Sequence, residues 1–215
     1  MLKKDFKIKG GYTIIETMIA VSIFIIIIMA GMGALLNANL LHQKSQSMRS
    51  IIDNLSFILE DMSRNLRTGY NYHCFTAGDT IPSTTSPIVS VPKSCINGWA
   101  IAFESADGDS TAADGDPINH DDQWIYYLDS GKIFKSTAGP YSASNFIQLT
   151  PDEVVIDSAV SGFSVLGAEP PNYTSPPGDQ QQPFITIKLT GTITFKNVAT
   201  PFSLQTSVSQ RLIDI

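Results

Sequence analysis

The chain has 215 residues, 43% hydrophobic and 16% charged, a composition that suits one ordinary compact domain with an appended segment and not a disordered polymer. The net charge of −6 is unevenly spread: residues 1–11 hold Lys3, Lys4, Lys7 and Lys9 against Asp5, residues 12–67 balance four against four, and from residue 68 onward six basic side chains face fifteen acidic ones. Binding to a phosphate backbone depends on clustered Lys and Arg, so no direct nucleic-acid binding is expected of this acidic region.

The stretch "KGGYTIIETMIAVSIFIIIIMAGMGALL" spans residues 9–36. From Thr17 through Leu36 it holds twenty residues without a charge, the length a helix needs to cross a hydrocarbon core of roughly 30 Å. Glu16 stands at the head of that run, where an unpaired carboxylate costs several kcal/mol in lipid. After Leu36 the pattern changes: Met48, Ile51, Ile52, Leu55, Ile58, Leu59, Met62 and Leu66 recur at steps of three and four, with Arg49, Asp53, Glu60, Asp61, Arg64 and Arg67 on the opposite side. No proline interrupts residues 1–81, so the spacing predicts one helix over about 13–67, ended by Gly69 as a cap.

Residues 71–97 are rich in Ser, Thr, Pro and Gly and read as a loop. Cys74 and Cys95 lie near its ends. If the basic leader stays in the cytoplasm, as the positive-inside bias predicts, both cysteines are outside, and an even count there suggests a disulfide; two unpaired thiols are the alternative. Strand patterns follow in "GWAIAFES" (98–105), "DQWIYYLDSGKIFKS" (122–136, a hairpin turning at Asp129-Ser130-Gly131), "SNFIQLT" (144–150), "EVVIDSAVSGFSVLG" (153–167), "PFITIKLTGTITFK" (183–196) and "PFSLQTSVSQRLI" (201–213). A Pro-rich loop separates the third-last and second-last segments. Short connections without intervening helical patterns predict an α+β fold: a long N-terminal helix, apolar in its first half and amphipathic in its second, packed on an antiparallel, meandering β-sheet.

A basic leader ending in glycine, then Tyr12, Thr13, Ile14, Ile15, Glu16 and a long apolar helix resembles the N-terminus of the type IV pilin superfamily. The resemblance implies that a membrane-embedded aspartyl prepilin peptidase cuts after Gly11 and that the new amine of Tyr12 is methylated. Tyr12 departs mildly from the more usual Phe. It further implies that Glu16 pairs with the N-terminal amine of a neighbouring subunit as the apolar helices bundle, so that Glu16 and Thr13 serve assembly and register. The plainer reading has Glu16 snorkelling at the membrane interface. The helix end "LSFILEDMSRNLRTG", the central hairpin and the closing "LQTSVSQRLI" are similar to minor pilins and to the J-type minor pseudopilin of type II secretion systems.

The run "DGDSTAADGDPINHDD" contains Asp107, Asp109, Asp114, Asp116, Asp121 and Asp122, which are weak calcium candidates. Ala112 and Asn119 stand where an EF-hand needs its turn glycine and no ligating Glu follows, so a solvated acidic turn is the default. His73 with Cys74 and Cys95 gives only three loosely spaced zinc ligands. His42, His73 and His120 are scattered and read as surface groups, while Trp99, Trp124, Tyr126 and Tyr127 read as core or edge packing. No phosphate loop, nucleophile elbow or zinc-binding His pair is present, so neither an enzyme nor a cofactor is expected.

These readings divide the chain into a leader (1–11), a transmembrane or filament-core helix (12–36), an amphipathic helix (37–67), a disulfide-stapled loop (68–97) and an antiparallel β domain (98–215). The expectation is a minor pilin or pseudopilin in the inner membrane, its leader in the cytoplasm and its β domain outside, later part of a surface or periplasmic filament. Its partners would be other pilins, prepilin peptidase, the assembly platform with its ATPase, and lipid before assembly. Two rivals are a secreted domain whose signal peptide is removed near Gly31-Met32-Gly33 and a membrane-anchored domain that never polymerises. The first is disfavoured by length, since a signal peptide's apolar region spans about 7 to 15 residues.

Overall fold

The computed structural model describes residues 11–81, 91–106, 123–137, 145–169, 182–196 and 198–211. The chain separates into two compact units, Met1–Ser47 and Met48–Ile215. One helix, α1 (Ile14–Thr68), runs through both. Every residue from Gly11 through His42 is exposed, whereas Ile51, Leu55, Ile58, Leu59, Met62 and Leu66 are buried. The stripe is narrower than its periodicity predicts, because Met48 is half-buried and Ile52 remains 36% exposed.

Among the described residues, ten strands follow α1 in two antiparallel sheets, where the sequence predicts one meander. β1 (Tyr70–Phe75), β3 (Ala100–Glu104), β4 (Gln123–Asp129), β5 (Lys132–Ser136) and β6 (Ile147–Gln148) form the first, in that order. The second has the order β10 (Val198–Ser209), β9 (Phe184–Phe195), β8 (Gly162–Leu166), β2 (Cys95–Gly98), and β7 (Val154–Ile156) pairs β9 beyond the end of β8. The sheets separate because the chain changes layer at Trp99. β2 ends at Gly98 beside β8, and β3 begins at Ala100 beside β4. Asn97 with φ 58° bulges the strand there, and a Cβ at Gly98 would collide with Cys74 Sγ. The expected loop over 68–97 therefore carries β1 and β2 at its two ends.

Hairpin β4–β5 turns through Ser130 (φ 49°) and Gly131 (φ 75°), two successive left-handed residues, as a tight turn that follows the strand twist requires. Gly69 does follow α1, but outside the left-handed region, so it is no cap of that kind. It is glycine for space: a Cβ would strike the Phe103 ring. Tyr72 closes the helix instead, its hydroxyl lying 2.6 Å from the Leu66 carbonyl and 2.5 Å from that of Gly69. β10 begins earlier than predicted and includes Pro201, tolerated because β10 is an edge strand.

The main core joins the α1 stripe to Phe103, Tyr126, Ile133, Phe163, Val165, Ile185, Ile187, Leu189 and Ile193 of the two sheets. A second cluster, Phe75, Ala100, Ala102 and Ile125, lies under Trp99, Tyr127 and Phe146. Removing a fully buried leucine from such a core loses transfer energy and leaves a cavity. Leu55→Ala is expected to cost about 2–5 kcal/mol in urea unfolding, whereas Phe57→Ala, at a site 72% exposed, should stay within about 0.5 kcal/mol.

Candidate functional site

The leading turn of α1 is built by Thr13. Its carbonyl accepts the N–H of Thr17 at 3.2 Å, and its Oγ1 accepts the N–H of Glu16 at 3.3 Å. Those are the bonds of an N-cap residue, and Thr13-Ile14-Ile15-Glu16 carries the Thr-x-x-Glu pattern of a capping box. The acid that looks misplaced in an apolar run thus occupies the first turn, where the positive end of the helix dipole favours a carboxylate. The pattern was present in the sequence and went unread there. Gly11 and Tyr12 precede the helix, with Tyr12 83% exposed. A Cβ at Gly11 would meet nothing within 4 Å, so packing among the described residues does not demand glycine there.

Beyond the cap, α1 contains an 18-residue window of mean hydropathy 2.7, none of it buried. Its length and composition make it a candidate membrane span, consistent with single-pass anchoring. The hydroxyls within it are satisfied inside the helix: Thr17 Oγ1 donates to the Ile14 carbonyl and Ser22 Oγ to that of Met18, each at 2.8 Å. They therefore offer no unpaired donor to lipid.

In the second unit the sequence motifs resolve into clamps. Asp61 of α1 meets Lys135 Nζ at 3.1 Å, and that ammonium lies 4.3 Å from the Trp124 ring centre; one turn on, Asn65 Nδ2 donates to Tyr126 Oη at 2.9 Å. Burial raises the Tyr126 phenol above its usual range, so it stays neutral. Trp99 packs on Phe75 and Tyr127 and donates Nε1–H to the Thr76 carbonyl at 2.9 Å, in keeping with a packing role. Lys132 Nζ donates to the carbonyls of Pro151, Asp152 and Val154 at 3.0, 3.0 and 2.7 Å, fastening the β4–β5 turn to β7.

Cys74 and Cys95 are joined by a disulfide, their Cα atoms 5.7 Å apart, which ties β1 of one sheet to β2 of the other. With both sulfurs so engaged, the zinc reading is closed. His73 instead directs Nδ1 to the Val91 carbonyl at 2.7 Å, and His42 is exposed beside Gln46. His120 and all six calcium candidates, Asp107, Asp109, Asp114, Asp116, Asp121 and Asp122, lie outside the described residues, as does the leader through residue 10. Among the described residues no three His, Cys, Asp or Glu side chains gather as a metal site.

Two carboxylates hold the chain on either side of the disulfide. Asp79 Oδ2 accepts from Lys93 Nζ at 2.6 Å and from Thr76 N–H at 2.8 Å; the Lys93 bond first, then that of Thr76, bring its carboxyl down to about 2. Burial opposes ionisation of Glu169, yet hydrogen bonds from the Ser94 hydroxyl at 2.5 Å and N–H at 2.8 Å outweigh it and lower the carboxyl. Neither clamp was legible in sequence, since Ser94 and Glu169 stand 75 residues apart.

Set against family models, curated proteins and solved structures, the chain finds no match in any of the three.

Both features predict solution behaviour. A carboxyl depressed on folding contributes stability that is complete above its unfolded value and fades as pH falls through the folded one. Acid titration of the wild type should therefore show a loss between pH 3.8 and about 2 that Asp79→Asn diminishes. Replacing Cys74 and Cys95 together by Ala should lower stability by about 3 kcal/mol in urea unfolding, the chain-entropy value for a loop of this length.

Proposed function

We propose that this chain is a pilin-like subunit: cut after Gly11, methylated on the amine of Tyr12, held in the membrane by the first half of α1, and built into a type IV pilus or type II secretion-like pseudopilus as a minor subunit. The carrying observation is the uncovered apolar window, continuous in one helix with a stripe that packs under a folded β domain. An apolar surface of that size needs either lipid or other apolar helices around it. A subunit that exchanges the first for the second uses both. The open space around Gly11 supports a glycine selected by something other than this chain's packing, as a peptidase would select it. The function is mechanical association, with prepilin peptidase, sibling pilins, the assembly platform and its ATPase as partners.

A second reading has one observation in its favour. Because Thr13 caps the first turn and the dipole favours an acid at Glu16, the carboxylate has an intrachain role without any assembly partner. The chain would then be a membrane-anchored binding domain that does not polymerise.

Mass spectrometry of the protein from its native membrane separates the two. The proposal expects a mature start at N-methylated Tyr12 and at least a tenfold loss of Glu16→Ala from sheared filaments, with the variant still present in the membrane. An intact Met1, or a wild-type chain absent from sheared filaments, would favour the simple anchor, whereas Glu16→Ala recovered in filaments at the wild-type level would remove the assembly role of Glu16.

A further inference from the structure

The proposed cut falls between Gly11 and Tyr12, and residues 11–13 lie outside α1, whose first helical residue is Ile14. A peptidase needs its target segment exposed and free of regular structure, and a peptide bond drawn into a helix must first be unwound. Where α1 starts therefore decides whether this bond is available. Thr13 sets that start through its two bonds, from Thr17 N–H to its carbonyl and from Glu16 N–H to its hydroxyl. The next competent cap upstream is Gly11, because glycine caps about as well as threonine and an aromatic residue such as Tyr12 does so poorly. Nothing in the surroundings prevents Gly11 from taking that role, since its neighbourhood is open within 4 Å. The sequence thus holds two alternative helix starts two residues apart, one leaving the scissile bond outside the helix and one making it the junction of cap and helix.

We propose that Thr13 is a positioning residue for processing: its cap fixes the start of α1 at Ile14 and so keeps the Gly11–Tyr12 bond outside the helix. The inference rests on the processing reading above. It assigns to Thr13 a task completed before assembly and to the Thr13–Glu16 hydrogen bond a part in substrate recognition by conformation. With Ala at position 13 the cap is lost and a strong helix former replaces it, so the start moves to Gly11. The N–H of Ile15 then gains the Gly11 carbonyl as its helical partner.

The test uses the full-length chain in phosphatidylethanolamine–phosphatidylglycerol vesicles with a purified aspartyl prepilin peptidase. Cleavage is followed by intact mass, and amide exchange at Ile15 is read in the uncut chain. Thr13→Ser and Thr13→Asn, which keep a capping oxygen, should stay within about twofold of wild-type kcat/KM, whereas Thr13→Ala should fall about fivefold, the factor that a lost cap represents, with slowed exchange at Ile15. Equal cleavage of the Ser and Ala variants overturns the inference while leaving the processing reading intact. Slower cleavage of Thr13→Ala with unchanged exchange at Ile15 also overturns it, since the peptidase would then be reading the side chain itself. A wild-type chain left uncut at Gly11–Tyr12 removes the processing reading, and the inference with it.

Discussion

One uninterrupted helix must satisfy two environments, and the rest of the molecule follows from that requirement. Its first half is apolar on every side, and none of its most hydrophobic window is buried among the described residues. Its second half is apolar along a single stripe, and that stripe completes the core of the β domain. The same backbone geometry serves both because burial, unlike helix formation, is decided by the width of the apolar surface: a full circumference calls for lipid or like helices, a stripe calls for a sheet. No proline or cap separates the halves within the helix.

The β domain is fastened to this helix by polar contacts as much as by the core. Asp61 and Lys135 meet over the Trp124 ring, and Asn65 reaches Tyr126. The ammonium of Lys135 is held between a carboxylate and a π-face, and its side chain is only 16% exposed, so the pair is better shielded than an ordinary surface ion pair. Farther from α1, the disulfide joins the two sheets where β1 and β2 approach, and Asp79 and Glu169 hold the segments beside it. These links add covalent and charge-assisted bonds to a region where Tyr72, Cys74, Phe75 and Cys95 are themselves buried.

Much of the fold was legible, for physical reasons that also explain what was not. Helix α1 could be read to within one residue at each end because a 3.6-residue period sustained to Leu66 has no competing interpretation. The β4–β5 hairpin was legible because Ser130-Gly131 tolerates the left-handed backbone that the turn needs. β1 was hidden inside polar, cysteine-bearing "YNYHCF", and β2 inside a four-residue strand distorted at Asn97. Their existence depends on partners far along the chain, β3 and β8, and no local pattern records a distant partner. The division into two sheets was illegible for the same reason, since it turns on the layer change at Trp99. At the N-terminus the order of Gly11, Tyr12 and Glu16 was plain, and Thr-x-x-Glu also carried the capping role of Thr13 that its hydrogen bond shows.

That bond changes how the acid in the apolar helix is understood. A carboxylate at the start of such a run must have compensation at every stage of the protein's life, not only in a finished assembly. In the uncut chain it occupies a first turn capped by Thr13, near the backbone N–H groups of that turn and the positive end of the dipole. Under the proposed cut between Gly11 and Tyr12, Thr13 would become the second residue of the chain and a terminal amine would lie within one turn of Glu16. A cationic amine at a helix N-terminus is opposed by the dipole, so it gains most from a carboxylate on another helix, and that helix's own Glu16 is available on the same terms. The first-turn acid and the proposed new amine would thus give each chain one partner of either charge to offer a neighbour. Under the proposed processing, cutting the leader converts a locally satisfied helix start into one completed by a neighbour, and assembly becomes contingent on cleavage without any change in the fold of the β domain.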